Sequence, residues 1–227
     1  EQDYLNIEYI IKDGGSVDGT LELIQNLDND KWRIVSDQDN GIYDAMNIGA
    51  EMASGDYLYF LNSDDFLYSN TVISDIVNSL SKNLVDCIFG NIYYFKSDPS
   101  IVSREWISST YKRGSFATGW HPPHPAFIIS KKAFSTLGGF NLNYDIVSDF
   151  DLMFRALEVN NFSADHLDMF FSVCKQGGAS DQGFTGLLNN FREIHRVIKN
   201  NGIEISLPRF IVGRYLHKVL SLLKNGL

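Results

Sequence analysis

The sequence predicts an α/β fold: a mostly parallel sheet flanked by helices, followed by a helical C-terminal extension. Three observations carry that expectation. Short apolar runs are bounded by turn residues, helical periodicity follows the first of them, and acidic residues stand where the strands end.

Ile7-Glu8-Tyr9-Ile10-Ile11 and Tyr57-Leu58-Tyr59-Phe60-Leu61 are apolar runs of strand length, as expected of strands covered on both faces. After Ile11 come the turn residues Lys12 to Thr20, then Leu21, Leu23, Ile24 and Leu27 at helical spacing. Ile34-Val35 is followed by a second polar turn and by Ile42, Ala45, Met46, Gly49, Ala50 and Ala53, again at helical spacing. Strand and helix in alternation imply βαβ units whose loops gather at the carboxyl edge of the sheet. Cys87 to Tyr94 and Ala126 to Ile129 read as further strands. Ser148-Asp149-Phe150-Asp151 opens a helix containing Leu152, Met153, Ala156 and Leu157, with Ser148 and Asp151 at capping-box spacing.

Near the C-terminus, Pro208 suits a first helical turn. Val212, Tyr215, Leu216, Val219, Leu220, Leu222 and Leu223 form an apolar face beside Arg209, Arg214, Lys218 and Lys224. Such a helix either packs on its own domain or lies on an anionic membrane surface. The expected division is a domain over 1–180 and a basic helical extension over 181–227.

The 227 residues are 44% hydrophobic, enough for a sizeable core. The net charge is −9, and the seven Lys/Arg against two Glu in 183–227 concentrate the negative charge in the remainder. A body of that charge repels nucleic acid, so an anionic ligand there needs a metal ion or backbone amides. No apolar run reaches the roughly 20 residues of a membrane span, and Glu1-Gln2-Asp3 resembles no leader, so a cytoplasmic protein is expected. Cys87 and Cys174 lack partners at metal-ligand spacing and are expected to be reduced and buried.

Three strands run into acid: Asp13 after the first, Asp37 and Asp39 after the second, Asp64 and Asp65 after the third. Ligands of open α/β sheets bind at those loops. In Phe60-Leu61-Asn62-Ser63-Asp64-Asp65 the adjacent carboxylates repel and ask for a cation; a turn capped by two acids is the alternative.

Five segments in order, "KDGGSVDGT", "DNGIYDAMNIGAEMASGDYLYFLNSDD", "HPPHPAFIIS", "LGGFN" and "SDFDLMFRAL", resemble the family 2 glycosyltransferases of the GT-A (Rossmann-like) fold, especially those building bacterial surface polysaccharides. The resemblance covers roughly residues 5–175 and lacks the strand and helix with which such proteins usually begin. It implies a nucleotide-sugar donor of the UDP series, Mg²⁺ or Mn²⁺, and a saccharide or lipid-linked acceptor. Asp13 falls where the family reads the base, with an Asx turn as the alternative. Asp39 and Asp44 fall beside the donor, Asp44 equally suited to a cap. Asn62-Ser63-Asp64 matches the family's Asp-x-Asp, which assigns Asp64 to the metal with Asp65 in support and Asn62 to the ribose. His124, with Trp120 nearby, matches a position near the diphosphate or acceptor. Asp149 matches the general base of the inverting members.

The implied function is inverting, metal-dependent hexosyl transfer, with segment 208–224 meeting the membrane. Two other classes use related features. A sugar-phosphate nucleotidyltransferase needs a Gly-rich phosphate loop with a basic residue near its start, which this sequence lacks. A degenerate nucleotide-sugar binding or assembly subunit is the non-enzymatic alternative.

Overall fold

A computed structural model describes residues 2–26, 32–177, 183–203, 205–206 and 208–214. Its first unit is β1 (Tyr9–Asp13), α1 (Thr20–Gln25), β2 (Trp32–Ser36) and α2 (Ile42–Met52), with β1 and β2 paired in parallel as a two-stranded sheet. Then come β3 (Tyr57–Tyr59), β4 (Phe66–Leu67), α3 (Val72–Lys82), β5 (Cys87–Phe95) and β6 (Arg104–Trp106). The last elements are β7 (Phe127–Ser130), α4 (Lys131–Leu137), α5 (Ser148–Phe154), β8 (Ala164–Lys175) and α6 (Gly183–Asn200).

The second sheet has six strands, in the order β3-β7-β5-β8-β4 with β6 on β5. Its pairing is mixed. β5 and β8 run parallel, whereas β3–β7, β4–β8, β5–β6 and β5–β7 are antiparallel. The expected parallel βαβ pattern therefore describes the chain to β2, and the described strands beyond it are mixed in direction. Apolar runs report burial but not direction, so the sequence pattern could not separate the two.

Alternation along the strands sorts side chains to two faces. Cys87, Phe89, Phe127 and Ile129 join a core cluster with Phe134 of α4, Phe150 and Leu152 of α5, and Ile194, Val197 and Ile198 of α6. Ile88 and Ile128 point to the other face and pack with Val72, Ile76 and Leu80 of α3. The described part of 181–227 thus shares the main core, which also buries Phe210. Residues 208–214 are helical, while Tyr215 to Lys224, most of the expected membrane-facing stripe, lie outside the described residues. Cys87 and Cys174 are free and buried, as expected.

α5 does not start with the expected capping box. Val147 is its N-cap, Ser148 lies inside it, and Asp151 pairs one turn on with Arg155 at 2.7 Å. Arg155 also donates to the carbonyls of Leu137 and Gly139, at 2.7 and 2.8 Å. An available guanidinium outcompetes the weaker bond from a backbone amide.

Candidate active site

Asp149 stands in the first turn of α5, half-buried. Its Oδ1 accepts the Phe150 amide at 2.8 Å and the Tyr43 hydroxyl at 3.2 Å. Its Oδ2 has no hydrogen-bond partner among the described residues. One carboxylate oxygen is therefore held by two donors and the other by none among the described residues.

Tyr43 and Asn47 come from α2, four residues apart and so on one helix face. Asn47 Nδ2 donates to the Phe140 carbonyl at 2.9 Å and Asn47 Oδ1 accepts the Phe140 amide at 2.8 Å. Tyr43 also donates to the Ile146 carbonyl at 2.7 Å. These two side chains were not singled out in the sequence. Their signal was the i, i+4 polar pair in "IYDAMN", which interrupts an otherwise apolar helix face.

The turn 62–65 divides its polar atoms. Asp65 is half-buried and accepts Asn62 Nδ2 at 3.0 Å and the Lys175 amide at 3.3 Å. Burial pushes its carboxyl above the usual range, against the pull of those donors. Asn62 Oδ1 is buried and unpartnered, and Asp64 is exposed without a hydrogen bond or ion pair among the described residues. Asp65 thus aims Asn62, while Asn62 Oδ1 and Asp64 remain open.

His124 lies in a single 3₁₀ turn, His124–Ala126, with its ring against Phe60 and Phe140 at 6.3 and 5.7 Å between centroids. Its Nε2 is buried without a partner. Burial lowers its pKa, opposed by the charges of Asp149 and then Asp65, which puts the ring within electrostatic reach of both. At neutral pH His124 is an uncharged ring with one spare nitrogen. Ser148 Oγ, also buried, is a second polar atom without a partner.

The acids of the first sheet are more committed. Asp13 Oδ2 accepts the amides of Gly15 and Ser16, each at 3.0 Å, and the Ser36 hydroxyl at 2.5 Å; Oδ1 accepts the Ser16 hydroxyl at 2.5 Å. These bonds, those of the Ser16 and Ser36 hydroxyls foremost, hold its carboxyl far below the usual range. Asp39 is paired with Lys12 at 3.1 Å and accepts the Gly41 amide at 3.0 Å. A Cβ on Gly14 would lie 2.9 Å from Asp39 Oδ2, so the carboxylate would have to shift to admit one. Asp44 accepts the amide and side chain of Asn40, at 2.9 and 3.0 Å. Asp13, Asp39 and Asp44 shape loops first. Trp120 is buried against Phe89, Tyr111 and Phe116, and with Ser109, Thr110, Lys112, Ser115 and Thr118 it lines a cavity of about 350 Å³.

The model of the family described as glycosyl transferase family 2 matches residues 1–138. The chain belongs to that family. It is 28% identical over 155 residues to a PGL/p-HBAD biosynthesis glycosyltransferase of Mycobacterium bovis, covering 66% of this chain and 58% of that protein. It is 27% identical over 163 residues to the hyaluronan synthase of Pasteurella multocida, covering 71% of this chain and 17% of that one. The chain therefore spans less than two thirds of either relative. Among solved structures, S. aureus TarS residues 1–349 superpose with a TM-score of 0.66 at 16% identity, over 94% of this chain and 64% of that one. A mannosyltransferase of Pyrobaculum calidifontis, solved with GDP-Man and Mn²⁺, gives 0.57 at 15% identity, over 100% of this chain and 69% of that one. At such identities the likeness shows the fold, which is GT-A.

Among the described residues of this family 2 chain, no three His, Cys, Asp or Glu side chains converge to hold a metal ion. The turn 62–65 nevertheless offers oxygen to a hard cation: Asn62 Oδ1 is an orphaned buried oxygen, and two residues on the exposed carboxylate of Asp64 is uncommitted among the described residues. Mg²⁺ takes one or two protein carboxylates and completes its shell with phosphate and water.

Proposed function

We propose that this chain is the GT-A part of an inverting glycosyltransferase that moves a sugar from a nucleotide diphosphate, a UDP-sugar, to a hydroxyl of a saccharide or lipid-linked acceptor. The observation that carries the reading is Asp149, with Oδ1 tied to two donors and Oδ2 free. The relatives, a PGL/p-HBAD biosynthesis glycosyltransferase and a hyaluronan synthase, support the substrate class.

Asp149 Oδ2 takes the proton from the acceptor hydroxyl as that oxygen attacks the anomeric carbon opposite the leaving group. The new C–O bond forms as the bond to the diphosphate breaks, and the electron pair leaves with the nucleotide. Attack from the opposite face inverts the configuration. A Mg²⁺ or Mn²⁺ ion, when held by Asp64 and Asn62, supplies positive charge to the departing diphosphate. Neutral His124 offers a ring N–H to a phosphate or acceptor oxygen. Asp65 orients Asn62, Asp13 and Asp39 hold the loops that face the nucleotide, and Trp120 sits behind an acceptor wall. The basic segment 208–224 brings the domain to a membrane-borne acceptor.

Calorimetric titration of UDP and GDP, with and without Mn²⁺, tests the donor side. Micromolar, metal-dependent UDP binding that Asp64→Ala weakens is the expected result; binding indifferent to both metal and Asp64 would overturn that assignment. For the acceptor side, Asp149→Asn should cost about 10²- to 10⁴-fold in transfer. Transfer at the wild-type rate would remove Asp149 from the mechanism.

A further inference from the structure

We propose that Tyr43 is the positioning residue of Asp149: its hydroxyl bridges the loop carbonyl of Ile146 and the carboxylate, and thereby aims Oδ2 at the acceptor. The inference rests on the reading of Asp149 as general base. It extends that reading to a residue of α2, which belongs to the first βαβ unit of the chain.

The geometry begins with the freedom a carboxylate has. An Asp side chain turns easily about its last torsion, which is broad and two-fold. One donor from its own helix, the Phe150 amide at 2.8 Å, leaves that rotation poorly defined. A second donor on the same oxygen from a different element defines the plane. Tyr43 supplies it from α2 at 3.2 Å, across a sequence separation of 106 residues.

The phenol is itself held. Its ring packs on Phe140 with centroids 5.4 Å apart. One turn along α2, Asn47 grips both backbone groups of Phe140, and a Cβ on Gly139 would come within 2.6 Å of Asn47 Oδ1. The other end of α2 is anchored to the first sheet, where Glu8 Oε2 accepts the Ser54 amide at 2.7 Å and Arg33 donates to the Met52 carbonyl at 3.0 Å. α2 is thus a strut from β1–β2 to the segment that carries Asp149.

The single phenolic hydrogen has two acceptors, at 2.7 Å on Ile146 and 3.2 Å on Asp149. An ionised carboxylate draws it; a carboxyl that has just taken the acceptor's proton competes less, and the hydrogen returns to the nearer carbonyl. The bridge is therefore made while the carboxylate is ionised, the state in which Oδ2 has to be aimed at the acceptor. Among the described residues, the other titratable groups that act on this bridge are His124, buried and uncharged, and Glu193 of α6. Glu193 is occupied by the amides of Asp145 and Ile146 at 3.2 and 3.1 Å.

The test is the pH profile of transfer for Tyr43→Phe, which keeps the ring and removes the hydrogen. We expect kcat to fall roughly tenfold, KM for the donor to stay within about twofold, and the acid limb to move up by roughly half to one pH unit. Loss of packing alone would lower Tm without moving the limb. Asp149→Asn is measured alongside. An inactive Asp149→Asn with an unshifted limb in Tyr43→Phe overturns the role of Tyr43 alone, whereas an active Asp149→Asn overturns the base and this proposal together. Should Tyr43→Phe not fold, 3-fluorotyrosine at position 43 replaces it. That phenol is a stronger donor, so the limb should move to lower pH, and an unmoved limb overturns the proposal.

Discussion

At the residue scale the molecule separates acids that build from acids that are left open. Asp13 is the builder in the first sheet. Its four hydrogen bonds favour the charged form and depress its pKa. Stability from such a group is fully present above the unfolded value of about 3.9 and is lost as pH falls through the lower folded value. We expect Tm to drop as wild type is taken from pH 5 toward pH 2, and the drop to be shallower in Asp13→Asn; equal slopes would show that these bonds do not form. Asp151 is the builder in the second sheet's helical layer, buried against Arg155. Removing one partner of a buried pair costs about 3–5 kcal/mol, because the other charge is left without compensation. Asp151→Ala should therefore lower Tm by roughly 6–20 °C, at about 2–4 °C per kcal/mol for a domain of this size. A loss under 2 °C would mean that Arg155 finds water instead.

At the element scale the decisive contacts are close approaches. Gly90 lies in β5 where its register against β8 is irregular, and a Cβ there would fall 2.4 Å from the Phe171 ring and 2.7 Å from the Met169 carbonyl. The carbonyl cannot turn aside as a side-chain tip would. Gly90→Ala should cost at least about 1–3 kcal/mol by overpacking, read as a lower urea midpoint with an unchanged slope. At the start of α4, Ser130 Oγ accepts the Ala133 amide at 3.2 Å. Ser130→Ala should cost about 1 kcal/mol, and comparing the two variants separates a crowding defect from a lost cap.

At the scale of the whole molecule, charge and core divide differently. The excess of basic over acidic residues falls after position 182, yet Ile194, Val197 and Ile198 of that same region are buried among residues of α5 and β5. Fully burying each such side chain contributes roughly 1.5–3 kcal/mol, so the three together rival a typical total stability of about 5–15 kcal/mol. A chain ending at residue 182 should fail to fold cooperatively, seen as lost near-ultraviolet dichroism and bound hydrophobic dye. A sharp thermal transition from that fragment would instead make α6 an accessory. Among the described residues no helix is long and apolar enough to cross a membrane. Co-sedimentation of the 227-residue chain with anionic, but not neutral, vesicles is the expected outcome if segment 208–224 provides a membrane contact.

The sequence alone determined the elements that periodicity and punctuation announce. β1, α2, β3, β5, β7 and α5 stand within a few residues of where apolar runs and turn residues placed them. It also offered Asp64 and Asp149 as candidates, because a charge at a strand end or helix start is visible without any neighbour. The short strands β4 and β6 escaped it, since two or three residues carry no period. Only the tertiary structure decided which polar atoms are already spoken for. Asp13, Asp39 and Asp65 look as available as Asp64 in the sequence, but their partners Ser36, Lys12 and Lys175 arrive from other elements. The same holds for Tyr43, an unremarkable helical tyrosine until folding brings it to Asp149, 106 residues away. Local pattern records what a residue can do; hydrogen-bond partners drawn from distant segments decide which of those capacities remains free.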